Sequence, residues 1–211
     1  MTTVDSGQLT VNSKTGWGWM ALCFALAIWL ASCGPRVAYA QVAAGRLVGT
    51  ETLYAPEENL ERMDVAEIDL AQRTIDLAAF SLTDQAVVTA LADRAAHGVA
   101  VRIYLDRGEL QAECRGDATC ARIPLHSLIG LKGVEIRVKF SKVLMHLKSY
   151  AVDGSLVRDG SANFSEAGER RQDNSATFTT GDETVKSFES KFTAMWFRPD
   201  NLTVAQAVTT P

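Results

Sequence analysis

From about Arg46 the chain alternates short apolar runs with segments whose apolar positions recur at helical spacing. Leu47 to Tyr54 reads as a first strand. Pro56 suits the first turn of a helix, with Glu57, Glu58 and Glu61 complementing its positive end. Leu60, Met63, Ile68 and Ala71 carry that helix to about Arg73. Thr74 to Phe80 is a buried-strand pattern. Thr83 is placed to cap a second helix, which stops at His97 with Gly98 as its terminator. Val99 to Leu105 is the next strand. This strand-helix-strand unit predicts an α/β domain with some parallel pairing.

Beyond Gly133 the pattern becomes richer in strands. Val134 to Phe140 alternates, and Met145 to Val152 leads through the hairpin dipeptide Asp153-Gly154 into Ser155 to Arg158. Asp173 to Thr180 follows as a strand. Asp182 should cap a last helix running to about Phe197, with Val185, Phe188, Phe192 and Trp196 as its core-facing stripe. The tail after Pro199 shows no periodicity, so residues 199–211 are expected to be flexible, with the folded domain spanning 46–198.

The N-terminal segment has a different character. Trp19 to Ala31 is an unbroken apolar run of thirteen residues, too short for a comfortable membrane span and suited to an export signal. Ala38-Tyr39-Ala40 offers one cleavage site, and Leu30-Ala31-Ser32-Cys33 resembles a lipobox that would make Cys33 an acylated N-terminus. An uncleaved anchor is the third possibility. Each assigns residues 1–40 to targeting and places the domain outside the cytoplasm, in the periplasm or anchored facing it.

Of four cysteines, Cys23 and Cys33 fall in that segment, leaving Cys114 and Cys120 in the domain. The polar loop between these two and an oxidising compartment favour a structural disulfide, since a zinc site would lack a second cysteine pair. The net charge of −4 speaks against a general grip on nucleic acid. Basic residues nevertheless gather between Lys132 and Arg171, with eight Lys or Arg against five acids.

Chemistry concentrates in one stretch. His146 and Lys148 share a strand face at a spacing of two, and Ser161 and Asn163 share the same spacing. An imidazole to attack phosphorus or relay a proton, an ammonium for the non-bridging oxygens, and neutral donors beside them outline a phosphate pocket. His97 and His126 read as structural, and Asp106-Arg107 as a helix cap or ion pair. No carboxylate or histidine cluster suited to a metal accompanies them, so a cofactor-free, metal-independent reaction is expected.

His146, Lys148 and Asp153, followed by Gly160, Ser161 and Asn163, match without a gap the H-x-K-x4-D and G-S-x-N signature, and the chain resembles the phospholipase D superfamily over about Leu47 to Phe197. It is most similar to the short, single-motif branch that includes exported bacterial endonucleases. The resemblance implies an α/β fold with a mixed β-sheet flanked by helices on both faces. It also implies a phosphohistidine at His146, phosphoryl binding by Lys148 and Asn163 with support from Ser161, and structural roles for Asp153 and Gly160. An acid about a dozen residues after the asparagine orients the histidine in that branch. Asp173 is the match, with Asp in place of the commoner Glu. Because the family's site needs two motifs, one copy implies a homodimer through the active-site face. Nucleic acid is the favoured substrate, phospholipid the alternative. A non-catalytic binding module is opposed by the intact motif, and membrane association could come from the N-terminal segment.

Overall fold

The computed structural model describes residues 48–210. The expected export segment, the two candidate cleavage sites and Cys33 lie outside those residues. Seven strands form one sheet in the order β1-β7-β6-β5-β2-β3-β4. They are β1 (Thr50–Ala55), β2 (Thr74–Ala79), β3 (Ala100–Leu105), β4 (Val134–Val138), β5 (Lys148–Val152), β6 (Leu156–Gly160) and β7 (Asn174–Thr179). β2, β3 and β4 are parallel, and every other pairing is antiparallel, so the sheet is mixed as expected.

Among the described residues the α-helices are α1 (Leu60–Asp69), α2 (Gln85–Ala96), α3 (Arg107–Cys114), α4 (Glu166–Arg170), α5 (Asp182–Trp196) and α6 (Val204–Thr209). Alternation along the strands decides which face each helix covers. Ala78 of β2 and Tyr104 of β3 join Met145, Phe192, Met195 and Trp196 in one apolar cluster, so α5 lies on that face. Ile75, Leu77, Val101 and Ile103, all buried, point the other way. α1 and α2 pack together there, with α2 also against β3. The predicted stripe of α5 is buried at Val185, Phe192 and Trp196.

Several boundaries differ from the sequence pattern. Asn59, not Pro56, begins the first helix, because its side chain accepts from the Arg62 N–H. Asp84 rather than Thr83 caps α2, accepting from the Ala86 and Val87 N–H groups. A carboxylate one residue later satisfies two of the free donors at that end. Asp182 is the first residue of α5 and Gly181 takes the cap position without a side-chain bond. β5 starts at Lys148, leaving His146 just ahead of it.

The segment after Pro199 is not a frayed tail. Leu202 pairs with Val138, and Thr203 opens α6 with a reciprocal capping box to Gln206. Val204, Ala207 and Val208 are buried, and α6 packs on α3 and β4. Six helical residues are too few to show a period in the sequence. Cys114 and Cys120 form the expected disulfide at the end of α3.

Candidate active site

The parallel strands β2 and β3 run in the same direction, and the chemistry gathers beyond their carboxyl ends, where open α/β sheets place ligands. Register explains how the motif converges. Lys148 pairs with Ala79, the last residue of β2. β5 and β6 pair Tyr150 with Arg158, so extending that register brings Lys148 abreast of Gly160. Gly160 in turn pairs with Ala176 near the start of β7. His146 and Lys148, the Gly160–Asn163 segment and the segment around Asp173 therefore share one end of the sheet.

Phe80, the residue after β2, is the floor on which the two principal groups meet. The His146 ring lies 4.6 Å from the Phe80 ring, tilted by 60°, and the Lys148 Nζ is 4.6 Å from the same ring centre. His146 is exposed, whereas Lys148 is 5% exposed. The ammonium donates to the His146 carbonyl at 2.9 Å, so backbone and side chain of this pair are tied together. Desolvation holds the Lys148 pKa below the ordinary lysine value, with Glu109 the leading opposing influence.

The loop into His146 is braced. The Met145 N–H donates to Asp106 Oδ2 at 2.7 Å, while Asp106 Oδ1 accepts from the Glu109 N–H as the cap of α3. The capping role expected of Asp106 is present, and the second bond extends it to the segment that carries His146. Arg107 donates to the Phe140 and Thr210 carbonyls. Beside Phe80, the Ser81 hydroxyl donates to Glu113 Oε1 at 2.5 Å. Burial pushes the Glu113 pKa up to about 7, with the Ser81 bond acting against it.

Asn163 sits in the loop between β6 and α4. Its side-chain oxygen is buried and has no hydrogen-bond partner among the described residues. That oxygen is an acceptor, which a water would complete, while the NH2 group of the same side chain is the donor available to a phosphoryl oxygen. Two glycines hold the loop. A Cβ at Gly160 would lie 2.2 Å from the Ser175 carbonyl oxygen, and one at Gly168 would lie 2.5 Å from the Asn163 carbonyl oxygen. At Gly160 the backbone of β7 therefore leaves no room for a side chain.

The remaining candidates divide. The Ser161 hydroxyl donates to Asn174 Oδ1 and accepts from the Ser175 N–H, both at 2.9 Å, so it fastens this loop to β7. Asp173 is exposed just before β7, and among the described residues no hydrogen bond joins it to the His146 ring. Asp153 lies at the opposite end of β5, five residues from Lys148 and roughly 16 Å away at strand rise. Its carboxylate accepts from the Gln72, Arg73 and Thr74 N–H groups at 2.8 to 3.2 Å. The carboxylate thus ties the hairpin after β5 to the start of β2.

His97 ends α2 with Nδ1 2.8 Å from the Asp93 carbonyl, and His126 Nδ1 lies 2.8 Å from the Thr119 carbonyl. Both are structural. The basic stretch is less open than its sequence suggests. Arg158 is fully buried against Asp64, Arg170 and Arg171 face Glu61 and Glu166, and Arg137 stacks on Trp196. The buried Lys139 ammonium donates to the Val143 carbonyl. Lys132 and Lys142 remain as exposed cations of that stretch. The residues sequence reasoning missed are Phe80 and Arg158, because both act through partners distant in the chain.

Comparison with known proteins bears on the fold and the family. A phospholipase D from Rickettsia felis is 26% identical over 161 residues, covering 75% of this chain and 75% of that protein. One from Rickettsia conorii is 28% identical over 139 residues, or 65% and 64% of the two chains. The solved structure of Nuc from Salmonella typhimurium, a phospholipase D family member, superimposes with a TM-score of 0.61 at 23% identity, over 72% of this chain and 97% of that one. NucT from Helicobacter pylori gives 0.61 at 18% identity, over 70% and 94%. The family described as "Cardiolipin synthase, PLD-like domain" matches residues 65–196, and the chain belongs to it, and so to the phospholipase D superfamily of phosphodiesterases.

Proposed function

We propose that this phosphodiesterase acts through a covalent phosphohistidine, without a metal, as a homodimer that cuts nucleic acid backbones irrespective of sequence. The observation that carries the chemistry is the placement of His146 and Lys148 on one Phe80 ring, at the end of the sheet to which register also brings the Gly160–Asn163 segment. An imidazole nitrogen of His146 attacks phosphorus as the bond to the leaving oxygen breaks. His146 of a second copy protonates that oxygen. It then takes a proton from the water that splits the phosphorus–nitrogen bond, and both rings return to their starting states. Lys148 and Asn163 hold the non-bridging oxygens throughout. Asp173, at the same end of the sheet, is the acid proposed to orient His146 once the dimer forms.

Hydrolysis of bis(p-nitrophenyl) phosphate in excess EDTA tests the mechanism. Turnover should persist with chelator and vanish in His146→Ala. Loss of activity in EDTA, or its survival in the variant, overturns it.

Compactness supports a polymer substrate. Beyond the Cys114–Cys120 excursion the domain adds little to a fold that spans 97% of Nuc and 94% of NucT. Phosphate contacts bind such a backbone without reading sequence. A phospholipid substrate is the second reading, favoured by the name of the Rickettsia relatives and by the few exposed cations near the site. Nicking of plasmid DNA in EDTA at low salt, with phosphatidylcholine vesicles left intact, is the expected result. The reverse would make the protein a phospholipase.

A further inference from the structure

Against the Lys148 backbone lies a charged group that the proposed chemistry does not use. Arg158, on β6, is 0% exposed, as is Asp64 of α1. The guanidinium grips Asp64 in a fork, Nε to Oδ1 at 3.2 Å and Nη2 to Oδ2 at 3.1 Å. Its Nη1 donates to the Lys148 carbonyl at 2.6 Å and to the Ala162 carbonyl at 3.1 Å. The guanidinium also stands 4.6 Å over the Phe164 ring. Lys148 belongs to one half of the signature, while Ala162 and Phe164 flank Asn163 in the other.

We propose that Arg158 is a positioning residue, whose buried guanidinium joins the Lys148 and Ala162 carbonyls and thereby sets the spacing of Lys148 and Asn163 around a bound phosphoryl group. This rests on the reading of the site given above.

Two features argue that the group does more than add stability. A buried ion pair contributes little net stability compared with a well-packed apolar pair, since desolvation offsets most of the attraction. An apolar side chain could fill the same volume, but it could not donate to two carbonyls from different strands and loops. The fork is also prevented from turning. Asp64 accepts from the Tyr150 hydroxyl at 3.0 Å, which fixes the carboxylate from a third element.

The surrounding acids complete the arrangement. Both carboxyl oxygens of Glu169, on α4, are buried and accept no hydrogen bond from a described donor. Burial first, and then the Asp64 charge, push the Glu169 pKa up to about 10, so this carboxyl holds its proton at neutral pH. A protonated carboxyl is a donor, and Asp64 is the acceptor beside it. One cation, one anion and one neutral acid then make Arg158, Asp64 and Glu169 a locally neutral unit. The arginine keeps its full fork on Asp64 while Nη1 serves the two carbonyls.

The test removes the guanidinium without leaving a lone buried charge. In the double variant R158M/D64N, the amide that replaces the Asp64 carboxylate still accepts from Tyr150. Three quantities are measured: thermal unfolding, the Kd of inorganic tungstate as a phosphoryl mimic, and kcat and KM on bis(p-nitrophenyl) phosphate. The fold should persist while kcat falls about 10- to 100-fold, the loss expected of sub-ångström to 1 Å misplacement. Tungstate should bind at least about tenfold more weakly. R158K, which keeps the charge and loses the fork, should fall between the two and decides the matter if the double variant does not fold. A folded variant with wild-type kcat and tungstate affinity overturns the inference. Wild-type protein that binds tungstate but hydrolyses no diester overturns the function alone, and the tungstate comparison still tests Arg158. Wild-type protein that does neither overturns both.

Discussion

The Lys148 ammonium stands 4.6 Å from the centre of the Phe80 ring, and that ring also carries the His146 imidazole. The aromatic face offers the ammonium a partner in place of water, an interaction of about 0.5–2 kcal/mol. Phe80→Ala should therefore lower kcat/KM about tenfold, whereas Phe80→Tyr should retain most of it. The variant also admits water to an ammonium whose pKa is now held down by desolvation. Relief of desolvation, the largest influence on this group, should outweigh the lost ring contact, so its pKa rises and the alkaline limb of the pH–rate profile shifts upward. An unchanged limb in Phe80→Ala would dissociate the ring from the lysine.

Asp153 makes the opposite prediction, one of stability without chemistry. Its carboxylate receives three successive N–H groups, and its own φ of 55° is a left-handed conformation that Asp tolerates better than most residues. Asp153→Ala strips those donors of their acceptor and should cost on the order of 2–4 kcal/mol. For a chain of this size that is about 5–15 °C in Tm. Below the transition, kcat per folded molecule should match the wild type, because the residue lies roughly 16 Å from Lys148. A kcat loss at full folding would place Asp153 in the catalytic machinery.

The contrast between these residues shows what a single sequence can convey. The β2-α2-β3 unit was legible because its apolar runs and terminators are local, and the signature was legible because its spacing survives in one dimension. The hairpin at Asp153-Gly154 was equally local. Phe80 was invisible as a site residue, since nothing in its neighbourhood says that β5 will pair beside β2 and bring Lys148 onto it. Arg158 looked like one more cation in a basic stretch. Its partner Asp64 is 94 positions away, and only the packing of α1 under β6 joins them. α6 escaped for a related reason: its support comes from α3 and β4 rather than from its own short pattern.

Glu169 ties stability to pH. Its pKa is raised from 4.5 to about 10 in the fold, so between those values the folded chain holds a proton that the unfolded chain has lost. Stability must then fall as pH rises through that window. Glu169→Gln keeps a neutral donor toward Asp64 and removes the slope. Its Tm should match the wild type near pH 5 and exceed it by several degrees near pH 8. Glu113, raised to about 7, adds a slope of the same sign over a narrower range, but it is present in both proteins and cancels in the comparison. Parallel Tm curves for the two proteins would mean that Glu169 is ionised in the fold.

The proposed dimer needs a surface beside His146, and the residues just before it offer one. Val143 and Leu144 are 73% and 60% exposed, with Phe140 also exposed. The loop that carries them is held rather than loose. The Lys139 ammonium donates to the Val143 carbonyl, the Val143 N–H donates to the Ser141 hydroxyl, and the Met145 N–H is fixed by Asp106. Apolar side chains on a pinned loop are suited to burial by a twofold-related copy, in which each patch meets itself. Fully burying a Val or Leu contributes about 1.5–3 kcal/mol, so four such side chains supply on the order of 6–12 kcal/mol before the cost of association. Val143→Asp with Leu144→Asp should therefore convert a micromolar dimer to monomer by light scattering. Neither residue is packed in the core, so the Tm of the separated chain should change little. Diester hydrolysis should collapse with the dimer, because a lone chain has no second His146 to protonate the leaving oxygen. A double variant that stays dimeric would move the interface elsewhere on the molecule, and a monomer with full activity would show that one copy of the motif suffices.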